Sequence, residues 1–203
     1  MNIMLFLTFL LLLANRTGAQ TEFSQESATR LVKKLCIDIG PRPMGSPGER
    51  AALEFAAGKF KEYGCDTVYI MQVAYTDRVN TNSGLAVGID RGVTQRMIVL
   101  GGHIDSAGPE IPGADDDGSG SATGMELARV LCQRQLQSTL VFCCWGGEEQ
   151  GLEGSKYFVA HFDRLDSVAL MLQIDMANGL GRIELDPDTY GRSAPRWLVR
   201  AAV

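Results

Sequence analysis

The sequence has few aromatic residues, only two histidines and no block of lysine or arginine. Aromatic residues make up 7% of the 203 residues, and the formal net charge is −5. Nucleic-acid binding depends on a basic patch, so this composition argues against nucleic acid as a partner. No internal repeat or low-complexity linker divides the chain. Its length therefore predicts one sizeable domain rather than two.

The cysteines form no CxxC pair, and their odd number, five, leaves at least one thiol free. In an exported protein, a disulfide between Cys36 and Cys65 is conceivable. Small buried apolar side chains are an equally good explanation of the cysteines. Both alternatives stay open on the sequence alone.

No apolar run reaches the roughly 20 residues that a membrane span requires. The run at residues 3–14 is followed by small residues at 17–19, as a signal peptidase needs. We therefore expect residues 1–19 to be a cleaved export signal and residues 20–203 to form the functional domain. The mature protein would be secreted, periplasmic or otherwise extracellular, without a stable membrane anchor.

Hydrophobic periodicity and turn residues predict an alternation of helices and strands. The predicted helices lie at residues 24–39, 46–63, 118–132 and 154–162. The predicted strands lie at residues 67–75, 97–100, 138–145 and 168–174, with a short one at 183–185 and only weak alternation up to Ile89. This alternation predicts an α/β fold, a three-layer α/β/α sandwich around a mostly parallel mixed sheet.

The start of the second helix carries three capping signals. Ser46 can cap the helix, Pro47 suits its first position, and Glu49 completes a capping box. Gly64 is placed to end the same helix.

Charged residues follow three predicted strands at the point where each strand ends. They are His103 and Asp105, Glu148 and Glu149, and Asp175. In open α/β sheets, sites form just beyond the carboxyl ends of strands. We therefore expect these side chains to meet at one edge of the sheet.

The spacing of these residues suits a metal ion. His103 can bind a metal while Asp105, two residues later, fixes the imidazole tautomer. Three consecutive acids at residues 115–117 repel one another unless a cation or a helix N-terminus compensates. A capping role for Asp117 or Ser119 explains only one of these acids. Taken singly, each motif also fits a structural role, such as a sheet-edge His or an acid that caps a strand.

Glu148 and Glu149 are neighbouring carboxylates after a continuous apolar strand. Adjacent side chains point in different directions, so one can bind a metal while the other handles a proton. The alternative is a solvated acidic turn, although glycines on both sides favour a crowded site.

Four ordered strings resemble a known enzyme family. GGHIDS, PGADDDGSG, GGEEQGLEGS and QIDMAN are similar to the motifs of co-catalytic di-zinc aminopeptidases, typified by bacterial leucyl aminopeptidases and related to glutaminyl cyclases. Residues 40–43 and 45–49 resemble the N-terminal region of that family. The resemblance covers residues 28–178 and implies a zinc-dependent exopeptidase domain that acts on peptide substrates.

The resemblance also implies a role for each site residue. Asp116 would bridge two zinc ions, His103 and Asp175 would complete the shell of one, and Glu149 would bind the other. Glu148 would be the general base that takes a proton from a metal-activated water, and Asp105 would orient His103. The family pattern further implies a cis peptide bond between Asp116 and Asp117.

One ligand of the family pattern is missing. A second histidine is expected well beyond Asp175, but the only other one, His161, matches no ligand position and is interpreted as a surface or helix-packing residue. We therefore expect a sequence that is incomplete at its C-terminus, retains one zinc or none, and has weak or no activity. A glutaminyl cyclase-like single-zinc enzyme and a non-catalytic fragment of a peptidase fold are the alternatives.

Overall fold

The computed structural model describes residues 22–73 and 83–177. The predicted export signal at residues 1–19 and the short strand predicted at 183–185 lie outside these residues. Among the helices of the described part of the chain, none combines the length and apolar character of a membrane span.

Helix α1 spans Gln25–Lys33 and continues into a wider π-helical turn at Lys34–Ile39. Its start is capped by Ser24, whose hydroxyl oxygen accepts a hydrogen bond of 3.2 Å from the backbone N–H of Ser27. The continuous helix predicted over this segment is therefore confirmed, with a change of helical pitch in its second half.

Helix α2 spans Pro47–Tyr63 and has the predicted boundaries. The Ser46 hydroxyl accepts a hydrogen bond of 3.1 Å from the backbone N–H of Glu49. The Glu49 carboxylate accepts from the N–H of Gly45 rather than from that of Ser46, so the capping box is extended by one residue. Gly64, at φ 97°, ends the helix in the left-handed conformation.

Five described strands form one mixed sheet. They are β1 Thr67–Gln72, β2 Gly84–Asp90, β3 Met97–His103, β4 Thr139–Trp145 and β5 Val168–Gln173. The spatial order is β1-β2-β4-β3-β5. Strands β4, β3 and β5 run parallel, whereas β1 and β2 join antiparallel. The parallel character that the sequence predicts therefore belongs to the half of the sheet that carries the site.

The sheet is covered on both faces within the described residues. Helices α1, α2 and α3 (Gly120–Leu131) pack with one face around a core that includes Phe60, Met125 and Phe142. Helix α4 (Glu153–His161) packs on the other face through Phe158, against Trp145. The predicted α/β/α sandwich is confirmed.

The parallel register places the starts of three loops side by side at one edge of the sheet. His103 ends β3 and lies opposite Trp145, the last residue of β4. On the other side of β3, Gly101 lies opposite Gln173, the last residue of β5. The segments that follow β3, β4 and β5 therefore begin side by side.

Candidate metal centre

His103 lies at the centre of the acidic residues and is buried, with 1% of its side chain exposed. Its Nε2 atom is 2.9 Å from Oδ1 of Asp116 and 3.9 Å from Oε2 of Glu148. Its Nδ1 atom is 3.2 Å from the backbone carbonyl oxygen of Asp105 and 3.5 Å from Oδ1 of the same residue. A proton on Nδ1 would be held by Asp105 and leave the Nε2 lone pair facing Asp116.

Asp105 also organises the loop after β4. Its buried carboxylate accepts hydrogen bonds from the backbone N–H groups of Glu148, at 3.1 Å, and Glu149, at 3.2 Å. One side chain therefore contacts both His103 and the predicted general base. The sequence predicts only the first contact, because the second depends on β3 and β4 being neighbours.

Asp117 links the ends of two strands to the start of α3. Its fully buried carboxylate accepts hydrogen bonds from the backbone N–H groups of His103 at 2.9 Å, Gly120 at 2.8 Å and Met176 at 3.1 Å. The capping role expected for Asp117 or Ser119 thus belongs to Asp117. The hydroxyl of Ser119 instead donates to the carbonyl oxygen of Asp115. The peptide bond between Asp116 and Asp117 is cis, as the family pattern implies.

The candidate ligand atoms form two groups that share His103. One group adds Asp116 and Glu149, and the other adds Asp117 and Asp175; within each group the atoms lie within 4.8 Å of one another. The family resemblance implies that His103, Asp116 and Asp175 hold one ion, and this assignment stays a prediction. Within the described residues, Asp175 lies in the group with Asp117, whose carboxylate accepts three backbone hydrogen bonds.

The donor set fits zinc. It combines an imidazole nitrogen with carboxylate oxygens, the ligands that zinc takes in hydrolytic sites. Within the described residues, the Oε1 atom of Glu149 is buried and has no hydrogen-bond partner. A buried carboxylate oxygen without a partner is costly, and a bound cation would satisfy it.

The electrostatics of the group also favour a cation. Burial lowers the pKa of His103, but the hydrogen bond to Asp105 and the nearby acids outweigh it and raise that pKa to about 10. Burial raises the pKa of Glu149, and the charge of Asp116 adds to the effect. Burial likewise raises the pKa of Asp175. The carboxylates thus lie close enough to repel one another, and a positive ion or a proton on His103 would reduce this repulsion.

Arg42 holds together the backbone segments around the site. It was not predicted as a site residue. Its buried guanidinium donates hydrogen bonds to five backbone carbonyl oxygens, those of Leu35, Gly40, Ile104, Pro112 and Gly113, at 2.7–3.1 Å. It thereby joins the end of the helical segment at residues 34–39 to both ends of the loop between His103 and Asp116. The only sequence signal was its place in the string GPRP, within the region that resembles the family.

Glu49 supports the turn after β4 from the start of α2. Its buried carboxylate accepts a hydrogen bond of 3.0 Å from the hydroxyl of Ser83. Burial raises its pKa to about 8, against hydrogen bonds from Gly45 and Gly147 that lower it. A Cβ atom at Gly146 would overlap the Glu49 carboxylate, so only glycine fits there. Gly146 is therefore explained by its close approach to Glu49. Gly147 has a φ of 68°, and a Cβ atom there would overlap the side chain of Met44.

His161 lies on α4 and belongs to neither ligand group. It is exposed, and its ring stacks on Tyr157 with the centroids 3.9 Å apart. The interpretation of His161 as a surface or helix-packing residue is confirmed.

Two curated relatives share segments of this sequence. A "probable zinc metalloprotease" of Pyrenophora tritici-repentis is 32% identical over 160 residues, which is 67% of this chain and 33% of that protein. A "probable leucine aminopeptidase 2" of Aspergillus oryzae is 39% identical over 89 residues, 42% of this chain and 17% of that protein. The chain thus spans about a third or less of the length of these relatives.

Two solved structures share the fold. A zinc aminopeptidase from Bacillus subtilis superposes with a TM-score of 0.69 at 16% identity, covering 77% of this chain and 70% of that one. A glutaminyl cyclase from Bacteroides thetaiotaomicron superposes with a TM-score of 0.64 at 21% identity, covering 80% of this chain and 65% of that one. At these identities the likeness shows the fold alone.

A family model assigns the chain more directly. The model for peptidase family M28 matches residues 85–200, more than half of the chain. That range contains His103, Asp116, Glu148, Glu149 and Asp175. Relatives named as zinc metalloproteases and aminopeptidases agree with the nitrogen and oxygen donors at the sheet edge. The chain therefore belongs to peptidase family M28.

Proposed function

We propose that this protein is a zinc-dependent aminopeptidase that hydrolyses the first peptide bond of its substrates. The observation that carries the proposal is the position of Glu148, whose Oε2 atom is 3.9 Å from Nε2 of the buried His103. A carboxylate at that distance from a candidate ligand can reach a water in the same site. The similarity to a probable leucine aminopeptidase supports the choice of the amino-terminal bond.

His103, Asp116, Glu149 and Asp175 are the residues proposed to hold zinc. Their ligand atoms fall in the two groups around His103. When bound, zinc lowers the pKa of a coordinated water and polarises a substrate carbonyl. Asp116 is half-exposed, with 53% of its side chain accessible, so the group that it lines is open to solvent and to a peptide.

Glu148 is proposed as the general base. Burial raises its pKa, the charge of His103 lowers it, and the carboxylate of Asp105 raises it again. A raised carboxylate pKa brings the group closer to the operating pH, where proton transfer in both directions is efficient. Glu148 can therefore accept a proton from water and deliver it to the leaving amine.

Asp105 is proposed as a positioning residue for both partners in this chemistry. It faces Nδ1 of His103 and accepts the backbone N–H of Glu148. The imidazole and the base are thereby fixed relative to each other. Peptides are the proposed substrates, and export from the cell remains our proposal from the apolar segment at residues 3–14.

The test uses the protein that carries this sequence, loaded with zinc, and a panel of aminoacyl-nitroanilides. We expect release of nitroaniline, and we expect Glu148→Gln to lose at least 100-fold in kcat, because general base catalysis contributes that much. Glu148→Gln should still bind zinc in calorimetry. Glu110→Gln is the matched control, because Glu110 is an exposed glutamate outside both ligand groups.

Absence of release from the whole panel, with zinc shown to be bound, would contradict the aminopeptidase proposal. Ammonia release from peptides that begin with glutamine would then favour the cyclase alternative. Absence of zinc binding together with absence of turnover would favour the non-catalytic alternative.

A further inference from the structure

Two cysteines that the proposed function does not use lie close together. Cys65 follows Gly64 at the end of α2, and Cys132 follows the last residue of α3. Their Sγ atoms are 3.4 Å apart, although 67 positions separate them in the sequence. Both side chains are half-buried. Two helix ends on one face of the sheet thus bring these thiols into contact.

The other cysteines are placed differently. The Cys36 thiol lies 3.4 Å from the carbonyl oxygen of Gly113, so the pairing of Cys36 with Cys65 that the sequence left open is not seen. Cys143 and Cys144 are consecutive in β4 and face opposite cores, as neighbours in a strand must.

Backbone hydrogen bonds hold the two helix ends in position. The N–H of Cys65 donates to the carbonyl oxygen of Phe60 at 3.1 Å, and that of Cys132 donates to Ala128 at 3.0 Å. A side-chain bridge joins the same ends, because the Gln133 amide donates to the carbonyl oxygen of Tyr63 at 3.1 Å. The contact between the thiols is therefore set by hydrogen bonds in which the thiols themselves take no part.

We propose that Cys65 and Cys132 form a disulfide when the protein meets an oxidising disulfide, such as oxidised glutathione. The sulfur atoms must approach from 3.4 Å to about 2.05 Å. That change is small enough for rotation of the two side chains, with the helix ends left in place. Oxidised glutathione represents the disulfide oxidants that proteins meet in oxidising compartments.

The reaction is a thiol–disulfide exchange in two steps. The thiolate of one of the two cysteines attacks one sulfur of oxidised glutathione, and a mixed disulfide forms while one glutathione leaves. The other cysteine then loses its proton and attacks the protein sulfur of the mixed disulfide, and the second glutathione leaves. Two protein thiols are oxidised and one glutathione disulfide is reduced to two thiols, so atoms and electrons balance.

Either cysteine can attack first, because either sulfur can be the donor in the contact between them. The hydrogen bond with Cys65, together with burial, raises the pKa of Cys132. The resulting disulfide would close a long loop and restrict the unfolded chain, which stabilises the folded domain.

The main test needs no variant. The full chain is incubated with oxidised glutathione, its remaining thiols are alkylated, and a tryptic digest is analysed by mass spectrometry without reduction. We expect one crosslink between the peptides of residues 62–78 and 130–134, and a fall in free thiols from the five of the sequence to three. The melting temperature should rise by roughly 5–10 °C over that of the reduced chain.

Matched variants identify the bond. Cys65→Ser and Cys132→Ser should each abolish the crosslink and the rise in melting temperature, whereas Cys36→Ser should retain both. Five free thiols after oxidation, a crosslink that joins other peptides, or equal melting temperatures of the oxidised and reduced wild-type chain would each overturn the proposal. None of these results depends on peptidase activity, so failure here is distinguishable from failure of the proposed function.

Discussion

The carboxylate of Asp105 accepts a hydrogen bond of 3.1 Å from the backbone N–H of Glu148. Through its Oδ1 atom it also lies 3.5 Å from Nδ1 of His103. The group that orients a candidate zinc ligand is therefore the group that holds the candidate base. A change at Asp105 must disturb both.

For this reason we expect Asp105→Asn to lower zinc affinity by about 10–100-fold, the range typical of a lost partner behind a ligating histidine. The amide can present only one oxygen, so one of the two N–H groups from Glu148 and Glu149 would face an NH2 group. Calorimetric zinc titration measures the loss. Asp163→Asn, at an exposed aspartate, is the control; equal affinities for the two variants would contradict the shared role.

Zinc affinity should increase with pH between pH 6 and 8. Nearby acids outweigh the effect of burial and raise the pKa of His103 to about 10 in the zinc-free protein, so the imidazole carries a proton throughout this range. Zinc binds the neutral imidazole, and binding must release that proton. For each unit by which the pH falls, the zinc affinity should therefore decrease by up to about tenfold per proton released.

The measurement for this prediction is calorimetry in buffers of different ionisation enthalpy at one pH. The apparent binding enthalpy should change with the buffer in proportion to the protons released. A binding enthalpy independent of the buffer would show that no proton leaves and would contradict the prediction.

Arg42→Lys should destabilise the domain and weaken zinc binding together. The guanidinium donates to carbonyl oxygens in several segments, including those of Ile104 and Gly113. A lysine ammonium has three donors and cannot replace the planar fork. We expect a loss of about 2–4 kcal/mol in the free energy of unfolding, since each hydrogen bond to a charged group contributes about 1.5–3 kcal/mol.

Chemical denaturation of zinc-free and zinc-loaded protein tests this. Arg30→Lys provides the control, because 62% of the Arg30 side chain is exposed and its partner Glu26 lies in the same helix. An Arg42→Lys variant as stable as this control would show that the carbonyl contacts contribute little.

Gly102→Ala should disrupt the site by steric overlap. A Cβ atom at Gly102 would lie 2.6 Å from Oδ2 of Asp117 and 2.6 Å from the backbone of Gly120. These atoms hold the end of β3 against the start of α3 and cannot move independently. We expect a loss of several kcal/mol in the free energy of unfolding, as overpacking costs about 1–3 kcal/mol or more.

Gly58→Ala is the opposite case in the same chain. Gly58 lies within α2, and a Cβ there meets no atom within 4 Å. Alanine should stabilise the domain by about 0.5–1 kcal/mol, because it is the better helix former. Thermal unfolding of both variants tests the pair, and a tolerated Gly102→Ala would show that the β3–α3 contact is looser than described.

Several elements were predictable because their signals are local. The boundaries of α2 follow from Pro47 and Gly64, whose backbone preferences act on their own segment. Strand β2 was only weakly indicated, although its residues Leu85–Val87 are buried. Its place between β1 and β4 depends on partners distant in sequence, which the pattern of its own residues does not reveal.

The site residues likewise divide into those that local signals predict and those that only the fold reveals. The positions of His103, Glu148 and Asp175 just beyond apolar strands were readable, because the ends of parallel strands share one edge of a sheet. The contacts of Arg42 and Glu49 were not predictable, because in the sequence each residue belongs to a local motif that already accounts for it. Only the fold brings each of them against a segment that is distant in the sequence.

The sequence by itself therefore predicted a metal site in this protein, through the kinds of residue at strand ends and the order of four motifs. The tertiary structure alone decided which candidate ligand atoms lie close together, that Asp105 contacts both His103 and the backbone of Glu148, and that Cys65 meets Cys132. The physical reason is that the chemistry of a side chain depends on one position in the sequence. A contact depends on two positions, which only packing and strand order bring together.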